Sequence, residues 1–361
     1  MSETYFLGAV SGGIFRTEFG RVIADSSYFT YILKGGAGTG KSSLMKKIAE
    51  HFENRFHIIR YRCSSDPDSL DAVVIPELHT AVCDGTAPHV FEPLYPGVCQ
   101  RYIDLGRYWD DKRLAACRDE IIAAADRNKS LLARAGRFTA AAADICADTC
   151  ALGSDCLLTD KLEGFAARTA KKLFGRRGGS EGEKHLLRLT ALTEYGFLTN
   201  HETLESCFDV YTVRDELFAA SDYLLSRLSD EACLRGYDVI LSPAQLLSDA
   251  AYQHLIIPEL GTAFISGQAA AECAHPGAKK LSLMRFYDKA MLTERRVRIR
   301  MNTRAAADLS EEAARTLRQA KLVHDELEAF YIEAMDFSAL DRLTGELIRE
   351  IETDDRKGKE E

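Results

Sequence analysis

Residues 35–42 read Gly-Gly-Ala-Gly-Thr-Gly-Lys-Ser, a complete G-x-x-x-x-G-K-[ST] pattern. A short apolar run at 31–33 leads into it, and a segment at 43–51 with apolar residues at helical spacing leads out of it. Strand, glycine-rich loop and helix in this order predict an α/β sheet with the loop at the end of a buried strand. The glycines let backbone N–H groups turn inward, where they and the helix start form an anion-binding concavity.

The pattern predicts a phosphate-binding site for Mg-ATP. Lys41 is predicted to reach the β- and γ-phosphates and act in catalysis, and the Ser42 hydroxyl to ligate Mg²⁺. ATP is favoured over GTP, because the stretch Asn128-Lys129-Ser130-Leu131 lacks the aspartate of a guanine-reading N-K-x-D pattern. The residues predicted to bind the nucleotide are Gly35, Gly36, Ala37, Gly38, Thr39, Gly40, Lys41, Ser42 and Ser43.

A second metal ligand is predicted at Asp84, which closes an apolar run at 80–83. A carboxylate at the end of a strand beyond such a loop is placed to hold Mg²⁺ opposite Ser42. The alternative is an ordinary turn, since Asp-Gly is a strong turn dipeptide. Many hydrolysing ATPases carry a glutamate at the next position, and Gly85 stands there, which lowers the expectation of vigorous hydrolysis.

The region between these motifs predicts further α/β structure. A second strand is expected at 57–63 and a short helix at 68–75 that ends at Pro76, so the alternation indicates a parallel sheet of the P-loop NTPase type. Asp66 follows the second strand at the carboxyl edge of the sheet, where ligands bind. It is predicted to orient water or an acceptor in catalysis, or alternatively to cap the helix.

An internal repeat runs through the chain. Residues 68–83 read DSLDAVVIPELHTAVC and residues 250–265 read AAYQHLIIPELGTAFI. Tyr31 corresponds to Tyr211 at about the same spacing, so the chain is predicted to be a tandem duplication of a unit of roughly 180 residues.

The second copy has lost the nucleotide chemistry. Asp215 and Glu216 occupy the place of the glycine-rich loop, and their negative charge would repel phosphate. In the second copy, Ser266 occupies the position that corresponds to Asp84 in the first. The second copy is therefore predicted to keep the fold without a phosphate site.

Each copy is followed by heptad-patterned helix. Apolar residues step by three and four from Leu114 to Ile145 and again from Ala313 to Ala334, and Gly136 is a possible break. These arms are expected either to pack on each other or to mediate a homodimer. The predicted segments are a P-loop α/β domain at 1–107, a helical arm at 108–173, a linker at 174–184, a degenerate P-loop-like domain at 185–288, a C-terminal helical arm at 289–352 and a disordered tail at 353–361.

Composition predicts a cytoplasmic protein. The net charge of −9 makes nucleic acid an unlikely partner, and no apolar run is long enough for a membrane span. The N-terminus lacks the basic start of a signal peptide. The ten cysteines form no C-x-x-C pair and fit a reducing compartment.

Three stretches carry a resemblance to a known family: Cys63-Ser-Ser-Asp-Pro-Asp-Ser-Leu-Asp-Ala-Val-Val-Ile-Pro-Glu-Leu78, Asp84-Gly-Thr-Ala-Pro-His89 and Tyr95-Pro-Gly97. The chain resembles an uncharacterised family of bacterial proteins with duplicated P-loop domains, whose members are described as ATP-binding proteins, ATPases or nucleotide-kinase-like proteins. The resemblance implies ATP binding. In that family the second half often has its own phosphate loop, and this chain departs from the pattern there.

Three functions follow from these features. The first is an ATPase whose hydrolysis moves the helical arms or the degenerate half. The second is a nucleotide or small-molecule kinase. The third is an ATP-binding regulatory or scaffold protein with negligible turnover, which the missing glutamate favours together with the kinase.

Overall fold

The computed structural model describes residues 2–18, 20, 25–87, 92–175, 180–247 and 251–353. The first eight strands are β1 (Ser2–Phe6), β2 (Gly8–Ser11), β3 (Ile14–Thr17), β4 (Phe29–Lys34), β5 (Ile58–Arg62), β6 (Leu70–Ile75), β7 (Thr80–Asp84) and β8 (Gln100–Asp104). The next eight are β9 (Lys184–Leu186), β10 (Thr190–Thr193), β11 (Gly196–Thr199), β12 (Asp209–Arg214), β13 (Val239–Pro243), β14 (Tyr252–Ile257), β15 (Thr262–Ser266) and β16 (Ala278–Ser282). The helices are α1 (Lys41–Phe52), α2 (Asp111–Ala116), α3 (Arg118–Asp155), α4 (Thr159–Leu173), α5 (Ala219–Cys233), α6 (Gln268–Glu272), α7 (Lys289–Ala334) and α8 (Phe337–Thr353).

The chain divides into two compact units that do not follow the sequence copies. Unit 1 comprises residues 1–8, 17–134 and 315–361, and unit 2 comprises residues 9–16 and 135–314. The long helices α3 and α7 each contribute residues to both units.

Unit 1 contains a six-stranded sheet in the order β1-β5-β6-β7-β4-β8. The central strand β4 is buried at five of its six positions, as expected for a strand covered on both faces. Strands β7 and β8 flank it in parallel, and β1 pairs with β5 in parallel. Strand β6 runs antiparallel to both neighbours, so the sheet is mixed, and the prediction of a parallel sheet is wrong at this strand.

The predicted helix at 68–75 is also wrong, because residues 70–75 form β6. All six residues of β6 are buried, and the β-branched Val73, Val74 and Ile75 suit a pleated strand. A single turn of 3₁₀ helix at Pro76–Leu78, followed by His79 with φ of 43°, reverses the chain into β7. A short apolar run has no periodicity that separates strand from helix, which explains the error.

Unit 2 repeats this sheet with its own strands, in the order β9-β13-β14-β15-β12-β16. Strand β14 is again antiparallel to its neighbours β13 and β15. The Pro258–Leu260 turn reverses the chain with Gly261 at φ of 52°. The repeated Ile-Pro-Glu-Leu block is therefore the turn between two buried antiparallel strands in both copies.

The core of each unit is completed by a helix from the arm that follows the other copy. In unit 1, Leu340, Leu347 and Ile351 of α8 join a buried cluster with the apolar face of α1. In unit 2, Leu162 and Ala166 of α4 lie in a buried cluster with α5. The predicted arms at 108–173 and 289–352 thus end in helices that belong to the cores of the α/β units.

Helix α3 runs through Gly136 without a break, contrary to the possible break predicted there. A Cβ atom added at Gly136 would lie 3.4 Å from the carbonyl oxygen of Gly13, so this glycine allows a close backbone approach within unit 2. In unit 1, Arg127 of α3 pairs with Glu326 of α7 at 2.6 Å. In unit 2, Arg298 of α7 pairs with Asp148 of α3. The arms therefore pair within one chain.

Two predicted segments fall partly on residues that are not described. The linker at 174–184 contains residues 176–179, and the tail at 353–361 contains residues 354–361, which lie outside the described part. Gly182 donates to the carbonyl of Cys233 at 2.9 Å, so the end of the linker is packed in unit 2. Within the described residues, no helix combines the length and the apolar character needed to cross a bilayer.

Candidate functional site

The predicted nucleotide loop lies in unit 1 between β4 and α1, as its sequence requires. Gly38 and Gly40 have φ of 69° and 82°, a conformation that favours glycine. Gly40 precedes α1 and has no side-chain oxygen to cap it, and no acidic residue lies in the first turn. The N–H groups and the positive end of the helix dipole are thus left for an anion.

Lys41 is folded back onto its own loop. Its ammonium nitrogen donates to the carbonyl oxygens of Gly35 at 3.0 Å and Gly36 at 2.7 Å. It lies 3.6 Å from a carboxylate oxygen of Asp84, and the two side chains are 11% and 17% exposed. The other Asp84 oxygen accepts from the backbone N–H of Thr86 at 2.8 Å. The fold thus brings Lys41 together with Asp84, at the ends of α1 and β7.

Ser42 and a residue that sequence reasoning missed lie beside this pair. The Ser42 hydroxyl accepts from the backbone N–H of Leu70 at 3.0 Å. The next residue, Asp71, is 5% exposed and precedes Ala72, which pairs with Cys83. Asp71 therefore stands one strand from Asp84 at the same end of the sheet. The signal was a carboxylate inside an apolar run, which the helical interpretation of 68–75 obscured.

Three residues of the C-terminal helices α7 and α8 pack against the loop. The backbone N–H of Gly38 donates to Oε1 of Glu328 in α7 at 3.1 Å. A Cβ atom added at Gly38 would lie 2.6 Å from the Glu328 carbonyl oxygen, and one added at Gly36 would lie 2.8 Å from the Tyr331 ring. One added at Gly40 would lie 2.5 Å from Leu340 of α8. The absence of side chains at these three glycines permits this close packing.

Asp66 takes part in a second contact with α7. Its carboxylate accepts from the Ser69 hydroxyl at 2.8 Å and lies 3.7 Å from the ammonium of Lys321, which also pairs with Asp325. Partial burial lowers the pKa of Lys321, but the hydrogen bond to Asp325 and the charge of Asp66 raise it overall. Lys321 therefore links α7 to the segment between β5 and β6. The helix that Asp66 was alternatively expected to cap is absent, because the next element is β6.

One further group of side chains has metal-ligand character. Single atoms of His324, Asp325 and Glu328 lie within 4.8 Å of one another on one face of α7. The Lys321 ammonium pairs with Asp325 in this group, and the Glu328 carboxylate accepts a hydrogen bond from the Gly38 N–H. This arrangement resembles a helix-surface charge network. Of the predicted metal residues, Ser42 follows Lys41 in α1, and Asp84 lies 3.6 Å from the Lys41 ammonium.

Unit 2 fills the equivalent loop with its own carboxylate. Asp215 is 8% exposed, and its oxygens accept from the N–H groups of Leu217 at 3.1 Å and Ser221 at 2.7 Å. The Tyr287 hydroxyl also donates to Asp215 at 2.9 Å and accepts from the N–H of Ala220. Burial and the charge of Asp215 raise the pKa of Tyr287, which keeps the phenol protonated as a donor.

The equivalent loops of unit 1 and unit 2 can be compared by the anions that their backbone donors bind. In unit 2 the backbone donors bind the carboxylate of Asp215, and in unit 1 a backbone donor binds the carboxylate of Glu328. Both loops therefore stabilise an anion. Only the unit 1 loop also has a lysine, a hydroxyl and a strand-end carboxylate around it, the groups that a magnesium nucleotide requires.

A cavity of about 420 Å³ lies in unit 1 at the joint between α7 and α8 rather than at the loop. Its lining includes Arg107, Trp109, Arg113, Glu333 and Asp336.

Comparisons with protein-family models, curated proteins and solved structures give no match to the chain. The function must therefore be argued from the site.

Proposed function

We propose that unit 1 binds Mg-ATP at the 35–43 loop and hydrolyses it, coupling the nucleotide to the position of α7. The observation that carries this proposal is the hydrogen bond from the Gly38 N–H to the Glu328 carboxylate, in the same loop region that brings Lys41 to Asp84. A loop donor that binds an anion is the interaction that a phosphate needs. The same contact links the loop to a helix that carries residues of both units.

The roles of the residues follow from their chemistry. Backbone N–H groups of the loop hold the phosphates, and Lys41 leaves the carbonyls of Gly35 and Gly36 to neutralise them. Ser42 and Asp84 would hold Mg²⁺, which would supply polarisation of the transferring phosphoryl group. Each of these residues stands at the carboxyl end of β4 or β7, where ligands of α/β sheets bind.

Turnover also requires a group that orients water. Asp71 is buried at the start of β6, one strand from Asp84, and is our candidate in place of the glutamate that Gly85 replaces. Asp66, the candidate from the sequence, is engaged with Ser69 and Lys321 and acts in this proposal by holding α7.

A second candidate is an ATP-binding protein with negligible turnover. Gly85 favours it, because its carbonyl oxygen accepts from Lys34 at 2.7 Å and its position offers no carboxylate. The kinase stays an alternative prediction, because no contact among the described residues assigns a group to an acceptor.

One assay separates these functions. Pure protein is incubated with Mg²⁺ and ATP labelled at the γ-phosphate, with and without a pool of metabolites. The proposal predicts labelled free phosphate in both samples. Label transferred to a metabolite would indicate a kinase, and binding without release of label would indicate the second candidate.

Asp84→Asn is expected to weaken Mg-ATP binding by about tenfold, or about 1.4 kcal/mol, and to leave ATP binding in EDTA within twofold. The amide keeps the shape of the carboxylate but loses the charge that attracts Mg²⁺. Titration calorimetry with and without Mg²⁺ measures both affinities.

The matched control is Asp104→Asn, because Asp104 ends β8 on the other side of β4 and caps the exposed turn at Gly106. It should change neither affinity. Equal losses with and without Mg²⁺ in Asp84→Asn would make Asp84 a turn residue rather than a metal ligand.

A further inference from the structure

We infer that Glu328 is a tethered mimic of a nucleotide phosphate, and that segment 321–334 of α7 must leave the loop before Mg-ATP binds. This inference rests on the proposed function, because it concerns access to the same loop. It adds a regulatory state in which the chain occupies its own phosphate site.

The first observation is the identity of the group at the loop. The Glu328 carboxylate accepts from the Gly38 N–H at 3.1 Å, and Gly38 lies in the part of the motif whose backbone cradles phosphate. A phosphate at this donor would stand beside a carboxylate of the same sign, so the two anions exclude each other. The donor thus serves either Glu328 or the nucleotide.

The second observation is that the main chain of α7 packs on the loop together with its side chains. The Glu328 carbonyl oxygen and the Tyr331 ring lie against Gly38 and Gly36 so closely that a single added carbon would collide with either. The carbonyl oxygen is a second negative group that faces the loop. Main chain and side chain of α7 must therefore move together.

The third observation is that helix α8 is fixed in unit 1, which limits the movement to α7. Helix α8 is fixed in the core of unit 1 by Leu340, Leu347 and Ile351, and its Glu350 pairs with Arg101 at 2.7 Å. Between α7 and α8 lie only Met335 and Asp336. Met335 pairs with Trp109, and the Asp336 N–H donates to the Tyr108 carbonyl at 2.9 Å. The displaced segment therefore ends at this anchored junction, and α8 stays in place.

The fourth observation is that ordinary charged contacts hold the segment on the loop. Glu326 pairs with Arg127, and both side chains are more than half exposed, whereas Lys321 and Asp66, 3.7 Å apart, are 20% and 18% exposed. Exposed and half-exposed pairs are weak and exchange readily with water. Nucleotide can thus displace the segment by mass action, since it binds only the open form.

The test compares Glu328→Gln with the wild type for binding of a non-hydrolysable ATP analogue and Mg²⁺ by titration calorimetry. Loss of the competing charge should tighten binding about tenfold. The matched control is Glu294→Gln on the same helix, because Glu294 is exposed and lies outside segment 321–334. It should stay within twofold of wild type. Lys41→Ala combined with Glu328→Gln should bind far more weakly than Glu328→Gln alone, which assigns the gain to this loop.

Hydrogen–deuterium exchange of the wild type supplies a readout apart from affinity. The analogue should raise exchange in peptides from 321–334 and leave peptides from 340–351 unchanged. Thermal denaturation of Glu328→Gln checks its folding. Because the change is isosteric at a side chain that is 31% exposed, its midpoint should match that of the wild type.

The possible results distinguish this inference from the proposed function on which it rests. Equal affinities of wild type and Glu328→Gln would contradict the role of Glu328 as a phosphate mimic. The proposal that the loop binds Mg-ATP would be unaffected. Tighter binding without greater exchange at 321–334 would overturn the displacement of α7. No binding by wild type or by Glu328→Gln would overturn the proposed function and this inference together.

Discussion

Replacing Lys41 with alanine is expected to lower the affinity for Mg-ATP on the order of 100-fold, since charge-assisted bonds to phosphate are among the strongest single contacts. The fold should persist, because the Lys41 ammonium bonds only to carbonyls of its own loop and to Asp84. Titration calorimetry measures the affinity, and circular dichroism with thermal denaturation measures the fold.

The control for this change is Lys46→Ala, because Lys46 lies on the exposed face of the same helix α1. It should bind as the wild type does. If Lys41→Ala bound Mg-ATP with unchanged affinity, the loop at 35–43 would not be the nucleotide site, whatever its sequence pattern.

Replacing Asp215 with alanine is expected to lower the free energy of unfolding by about 3 kcal/mol, because buried donors would lose their acceptor. The N–H groups of Leu217 and Ser221 and the Tyr287 hydroxyl all donate to this carboxylate. Denaturant titration followed by circular dichroism measures the loss, with the unit 2 transition analysed separately if the two units unfold in steps.

Glu216→Ala provides the comparison for this site. Glu216 is the next residue but is 58% exposed and pairs with the exposed Arg214, so its removal should cost no more than about 0.5 kcal/mol. A loss at Asp215→Ala as small as that at Glu216→Ala would mean that the carboxylate does not organise the unit 2 loop.

The local structure around the loop could be predicted because it depends on neighbouring residues. The apolar run at 31–33 forms β4, and the helical spacing after Lys41 forms α1 with Leu44, Met45 and Ile48 buried. The repeat likewise predicts two related sheets, and their strand orders correspond. Spacing and residue type specify these features over short distances in the chain.

The direction of β6 could not be predicted in the same way. Residues 70–75 are apolar at most positions, and a buried strand and a short buried helix share that pattern. The decisive information is the pairing with β5 and β7, which depends on residues outside the segment. The misassigned helix also concealed Asp71 as a candidate site residue.

The packing of α7 and α8 on the 35–43 loop could not be predicted from the sequence for a different reason. Gly38 and Glu328 are 290 positions apart, and nothing near Glu328 marks it as a partner of the loop. The heptad pattern identified Tyr331 as a seam residue of a helix, but a pattern of this kind does not say what the seam packs against. The contact follows from the return of α7 and α8 to unit 1.

Binding stoichiometry distinguishes one nucleotide site per chain from two. One site is expected, at the unit 1 loop, because Asp215 already occupies the donors of the unit 2 loop. Equilibrium dialysis with a labelled, non-hydrolysable ATP analogue and Mg²⁺ should give one equivalent per chain in the wild type and none in Lys41→Ala at the same concentrations. Two equivalents in the wild type, or one that survives Lys41→Ala, would contradict the account.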